Sequence, residues 1–225
     1  MRTRRAVPVT VALALATGCG APTAPHRAPP PEQPIAKARA AAIVKAGLLR
    51  ASDLPGWRAT RPEPDSPGSA AAERALASCM GRPALPADAG SAEAAFVKGT
   101  QELGAAVSVA PTLARADEDL ADLRNAAFLD CFLKVLPKAP PGVDVRTRHI
   151  PATVRGADGA VGMAVTLSAK GPRGSASAEW VVIEAHAGHA ELSVWTARDV
   201  GERTMPSPAT LAALLARLVA RVRKV

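Results

Sequence analysis

The stretch "GSASAEWVVIEAHAGHAELSVWTA", residues 174–197, decides the fold. Its two runs are rich in Val, Ile, Thr and Trp and are separated by a turn at Gly188, which is the signature of paired strands. Working outward, "VDVRTRHI" (143–150) and "GAVGMAVTLSA" (159–169) have the same character, with turns expected at Gly156–Gly159 and Gly171–Gly174. The whole region 143–197 therefore predicts an antiparallel meander. Upstream, "AEAAFVKG" and "GAAVSVAP" read as two further short strands around Gln101-Glu102.

The rest of the chain has helical period. "IAKARAAAIVKAGLL" (35–49) reads as a helix, and "ASDLPGW" follows it. Pro55-Gly56 there suits the centre of a type II turn, because proline presets the first angle and glycine accepts positive φ at the second. "AAAERALASCMG" reads as a helix closed by Gly81. A long helix is expected from Pro111-Thr112 to the prolines at 137–141. In it Leu120, Leu123, Ala127, Phe128, Cys131, Phe132 and Val135 recur at three- and four-residue spacing. The last helix, "SPATLAALLARLVARVRKV", has Ser207 as N-cap and Pro208 at the first helical position. The fold class is α+β: an antiparallel sheet of five to seven strands covered by a long helix and a C-terminal helix.

The N-terminus carries an address. Arg2, Arg4 and Arg5 precede the short apolar run Ala6–Ala16, and Thr17-Gly18-Cys19 follows, the three parts of an export signal. The run is shorter than the roughly 20 apolar residues that a spanning helix needs. Ala16-Thr17-Gly18-Cys19 resembles the bacterial lipobox, although the family prefers leucine where Ala16 stands. The resemblance implies cleavage before Cys19 and lipid on its sulfur. An ordinary secretory signal with a chance cysteine is the alternative. The expected organisation is a signal over 1–18, a lipidated Pro-rich tether over 19–34 and a single domain over 35–225. The tether, at about 3.1 Å per residue, would span on the order of 45 Å.

The formal net charge is +8, and loss of the three signal arginines leaves 25 basic residues against 20 acidic ones. For an exported chain such a balance suits anionic headgroups or wall polymers, or only a solvated surface. Three Trp, three Phe and no Tyr offer no aromatic–basic cluster for stacking bases, so nucleic acid is not expected as a partner. Cys79 and Cys131 are the only other cysteines. In an oxidising compartment an even pair is expected to form a disulfide, and closing a loop of about 52 residues is worth roughly 4 kcal/mol in the chain-entropy model. A pair of buried free thiols is the alternative.

Catalytic motifs are scarce. His186 and His189 form H-x-x-H, but a zinc site needs three or four ligands at fixed geometry. The two histidines flank Ala187-Gly188, read as a hairpin tip, and are expected to point into solvent with no third ligand. His149 has no evident partner. No G-x-S-x-G elbow is present, and "GPRGSASAE" lacks the spacing of a phosphate loop. Asp117, Glu118, Asp119 and Asp122 suit the start of a helix. Trp57, Trp180 and Trp195 are candidates for an aromatic ligand cleft, with simple core packing as the alternative.

"SDLPGW", "LASCMG", the strand ending "AVSVAP", "DLADLRNAAFLDCF", "EWVVIEAHAGHAELSVW" and the terminal helix together resemble uncharacterised actinobacterial lipoproteins. In element order the chain is also similar to the PsbP/Mog1-like fold and to extracellular sensor domains of actinobacterial kinases. That likeness concerns the fold and transfers no function. The reading is a lipid-anchored module on the extracytoplasmic face of the cell membrane. It would bind a ligand, sense or adapt, without catalysis, metal or cofactor, and its envelope ligand or protein partner is unknown. The alternatives are an envelope hydrolase or metal-dependent enzyme without a recognisable motif, and a structural envelope component.

Overall fold

The computed structural model describes residues 32–62, 69–83, 87–135, 143–171, 174–199 and 206–225. The signal, Cys19 and the tether up to residue 31 lie outside the described residues. Helix α1 spans Lys37–Gly47, followed by a single 3-10 turn at Ala51–Asp53 and strand β1 at Arg58–Thr60. Helix α2 is Ser69–Cys79, then come β2 at Gly90–Lys98 and β3 at Gln101–Val109. Helices α3 (Leu113–Arg124) and α4 (Ala126–Val135) precede β4 (Val143–Ile150), β5 (Gly159–Gly171), β6 (Gly174–Ala187) and β7 (Ala190–Asp199), and α5 (Pro208–Val222) closes the domain.

All seven strands join one antiparallel sheet in the order β1-β2-β3-β7-β6-β5-β4. Two meanders, β1–β3 and β4–β7, meet where β3 pairs with β7. Two hairpins with described turns close on glycine: Gly99 (φ 62°) between β2 and β3, and Gly188 (φ 61°) between β6 and β7. Gly56 has φ 81°, and the Trp57 amide donates to the Leu54 carbonyl oxygen at 3.0 Å, closing the turn.

Alternation along the strands sends side chains to two different environments. One face carries Val107, Ile183, Ala185, Leu192 and Val194, all at most 2% exposed, and packs under α1 and α5. Leu211, Leu214, Leu215, Leu218, Val219 and Val222 supply the stripe of α5. Helix α1 sits very close: a Cβ on Gly47 would fall 2.8 Å from both Leu192 and Val107. The other face is covered by α3 and α4, with α2 against α4, and its buried apolar set is small: Ala77, Ala116, Leu120, Phe128, Cys131 and Val165.

The second face is held by other means. Cys79 of α2 and Cys131 of α4 are bonded, with Cα atoms 5.6 Å apart. Arg82 pairs with Asp122, and His149 Nε2 lies 2.8 Å from the Leu123 carbonyl oxygen. His149 thus has a partner that the sequence did not suggest. Gly81 (φ 69°) ends α2 in a Schellman arrangement, with Arg82 N–H to Ala77 O at 2.8 Å and Gly81 N–H to Ser78 O at 3.1 Å.

The α+β class with a seven-stranded antiparallel sheet is as expected, and one expectation is corrected. The long helix is two helices, broken at Asn125, whose ψ is 132° and whose side-chain oxygen accepts the Ala127 amide at 3.0 Å. Asparagine offers the backbone a local partner that competes with continued helix. Helices also cover both faces of the sheet, because α1 joins α5 on the first. In addition the described residues include Glu32, whose carboxylate accepts the Leu113 and Ala114 amides at 2.7 and 3.2 Å. With Thr112 Oγ1 accepting the Arg115 amide at 3.2 Å, the first turn of α3 is satisfied.

Candidate functional site

A polar row crosses the sheet beneath α3. The register places Ser108 of β3 opposite Glu191 of β7, Glu191 opposite His186 of β6, and His186 opposite Gly159 of β5. These residues alternate with Val107 and Leu192, so they face away from the main core and toward α3. Helix α3 approaches closely here: a Cβ on Gly159 would meet Leu120 Cδ2 at 2.3 Å. Asp119 lies between the buried residues Ala116 and Leu120, so it is carried onto the same side of the helix. Arg115, one turn earlier, pairs with it.

The row is densely interacting. Ser108 Oγ donates to Glu191 Oε2 at 2.9 Å. His186 Nε2 lies 3.1 Å from Glu184 Oε1. His186 is 2% exposed, and its Nδ1 and the Glu191 Oε1 atom are buried without a hydrogen-bond partner among the described residues. Burial, reinforced by the neighbouring Asp119 charge, pushes the Glu191 carboxyl up to about 8. Burial likewise raises Asp119, against the pull of Arg115. Burial disfavours the His186 imidazolium, but the hydrogen bond and charge of Glu184, with the charge of Glu191, outweigh it and raise the histidine. Near neutral pH the row therefore holds a proton on Glu191, beside a His186 imidazole shifted toward its protonated form.

A groove of about 200 Å³ opens beside this row, between α2 and the α3–α4 pair. Leu76, Ala77, Met80, Leu123 and Phe128 form its apolar wall, and Arg82, Asp119, Asp122 and Glu184 form its polar end. Asp119 and Glu184 belong to both groove and row, so the protonated cluster stands behind the polar end. Arg82 is already committed to Asp122, which leaves the polar end acidic.

The expected exposure of the histidines is overturned. His186 is buried, and His189 is half-buried with Nδ1 3.1 Å from the Ala110 carbonyl oxygen. The physical reason is register. The hairpin turns on Gly188-His189, pairing Ala187 with Ala190 and His186 with Glu191, so His186 belongs to the strand and points under α3. Asp158 receives the Gly188 amide at 2.7 Å and fixes the turn. Glu184 and Glu191 are the only carboxylates near the two histidines in sequence, but the pairing of Glu191 with His186 was not expected. Its signal was available in "HAGHAE", where a two-residue turn one position later aligns an acid with a histidine. Among the described residues no three His, Cys, Asp or Glu side chains form a metal ion's ligand set. No hydrogen bond joins Ser108 to His186, so a serine–histidine dyad is not assembled.

The three tryptophans do not line one cleft. Trp57 packs against the edge of the main core, and Trp180 is 40% exposed. Trp195 lies flat on β3, where a Cβ on its partner Gly104 would fall 1.9 Å from the indole. It borders a separate groove of about 400 Å³ with Thr60, Arg61, Glu93, Glu102 and Leu103.

No family model matches the chain, and no curated protein matches it. Among solved structures it is similar to the extracellular domain of PknH from Mycobacterium tuberculosis. The identity is 16%, over 87% of this chain and 100% of that one, with a TM-score of 0.45. So slight a likeness carries neither fold nor function across. No helix among the described residues is long and apolar enough to cross a membrane.

Proposed function

We propose that this chain is a lipid-anchored, extracytoplasmic ligand-binding module whose site is the groove between α2 and α3–α4. The lipobox-like Ala16–Cys19 supports the anchor, and the Cys79–Cys131 bond supports an oxidising compartment. The observation that carries the binding reading is the groove itself: an apolar wall ending in Asp119, Asp122 and Glu184, backed by the buried His186–Glu191 row. Such a lining suits a ligand with an apolar body and a cationic or hydrogen-bond-donating end.

The test uses the protein purified from its own membrane, with dodecyltrimethylammonium as a probe of that chemistry. Wild type is expected to bind the probe, and Met80→Trp, which fills the groove from its half-buried rim, is expected to lose it without a change in melting temperature. Equal binding by the two proteins would sink the reading.

The enzyme reading has one observation in its favour. A carboxyl held protonated near neutral pH, as Glu191 is, has the property of a general acid. Hydrolysis of an envelope ester or amide that disappears in Glu191→Gln, with ligand binding retained, would put that reading first.

A further inference from the structure

The two helical layers differ in charge. Helices α1 and α5 contain no Asp or Glu, whereas α3 and α4 carry Asp117, Glu118, Asp119, Asp122 and Asp130 against Arg115, Arg124 and Lys134. On the α1–α5 side Lys37, Arg39, Lys45, Arg155 and Lys224 are all exposed. None of these five has an acidic partner among the described residues, while Arg221 and Arg223 are paired with Asp53 and Asp158. Arg155, Arg217 and Arg223 border a shallow groove of about 490 Å³ whose floor is Ala213, Ala216 and Val219.

We propose that the α1–α5 face is a docking surface for anionic phospholipid headgroups. The inference rests on the lipid anchor proposed above, which would hold the domain within reach of the bilayer at high effective concentration. Charge complementarity selects the occupant. Exposed, unpaired cations on an acid-free helical layer meet lipid phosphates without first breaking an ion pair, and the alanine floor lets a headgroup approach the helix. The acidic α3–α4 face is then turned away from the membrane, with the α2/α3–α4 groove open to the envelope. Each cation near an anionic surface multiplies the docked-to-free ratio by about five.

The test uses mature lipidated protein on vesicles of phosphatidylcholine alone or mixed with phosphatidylglycerol, each holding a headgroup-attached quencher. A fluorophore is placed at Ala220→Cys on α5 or, separately, at Ala127→Cys on the far face; both positions are exposed. Quenching is expected at position 220 and not at 127, only with phosphatidylglycerol, and lost at high salt. Lys45→Gln/Arg155→Gln/Lys224→Gln should lower the docked-to-free ratio on the order of a hundredfold, about five for each charge. Lys45→Arg/Lys224→Arg should keep it. Equal quenching at the two positions, or quenching indifferent to phosphatidylglycerol, would overturn the proposal. Retention on pure phosphatidylcholine reads the anchor separately: failure there, with docking to the mixed vesicles kept, removes the anchor and leaves the docking face.

Discussion

Glu191 owes its protonation to its neighbours in the sheet. It stands opposite His186, accepts from Ser108 and is covered by α3 with Asp119. Its carboxyl titrates near 4.5 in an unfolded chain and about 8 in the fold. Between those values the folded state binds the extra proton, so stability falls as pH rises through the interval. His186 acts in the same direction: its folded value lies above 6.5, and the stability it adds is present below that point and lost as pH rises through the folded value. The melting temperature is expected to drop between about pH 5 and pH 8, and Glu191→Gln to flatten that drop by raising the melting temperature at the alkaline end. Thermal melts of both proteins at the two pH values check this; parallel curves would refute it.

Gly104 makes a second residue-scale prediction. Its missing side chain is the seat of the Trp195 indole. Gly104→Ala must push the ring off the strand, which should cost about 1–3 kcal/mol, read by chemical denaturation.

At the scale of elements, the second helical layer is stapled more than it is packed. Few buried apolar groups lie beneath α3 and α4, so the Cys79–Cys131 bond and the caps do much of the holding. Cys79→Ser/Cys131→Ser should lower stability by roughly 4 kcal/mol, and local opening measured by hydrogen exchange should appear in α2 and α4 before α5. Asn125→Ala should cost about 1 kcal/mol through the lost cap on α4. The elements that could be read from sequence were those with strong period. The four strands of 143–197 alternate visibly, and the leucines of α5 recur on one stripe. The break at Asn125 was hidden because the apolar stripe runs unbroken across it. Strand β1 was hidden because it has only three residues, two exposed and one half-buried, and no apolar pattern. The polar row was hidden by a hairpin tip set one residue early, which takes Glu191 away from His186.

At the scale of the whole molecule, the two faces of the sheet divide the labour. The α1–α5 side holds most of the buried apolar surface and the basic charge. The other side holds the staple, the acids and the groove. Under the proposed anchor, Cys19→Ser should release the chain from the detergent phase in phase partitioning, since the other two cysteines are bonded to each other; unchanged partitioning would remove the anchor from the scheme.

Among the described residues the sheet is open at both ends, and its two edge strands differ. Strand β1 is only three residues long. Strand β4 runs eight residues, paired on one side with β5 alone, and displays Asp144, Arg146 and Arg148 in alternation. Arg146 bonds Asp144 at 2.7 Å, and Arg148 reaches Glu179 at 3.4 Å. An unpaired strand of that length is a template on which another chain can add, and charge along it is how such growth is resisted. Arg146 and Arg148 place such charge on β4, and if the proposed anchor crowds copies on one surface, that charge is expected to oppose edge-to-edge pairing. Arg146→Val/Arg148→Val should leave the monomer folded and seed fibrillar aggregates that bind thioflavin T.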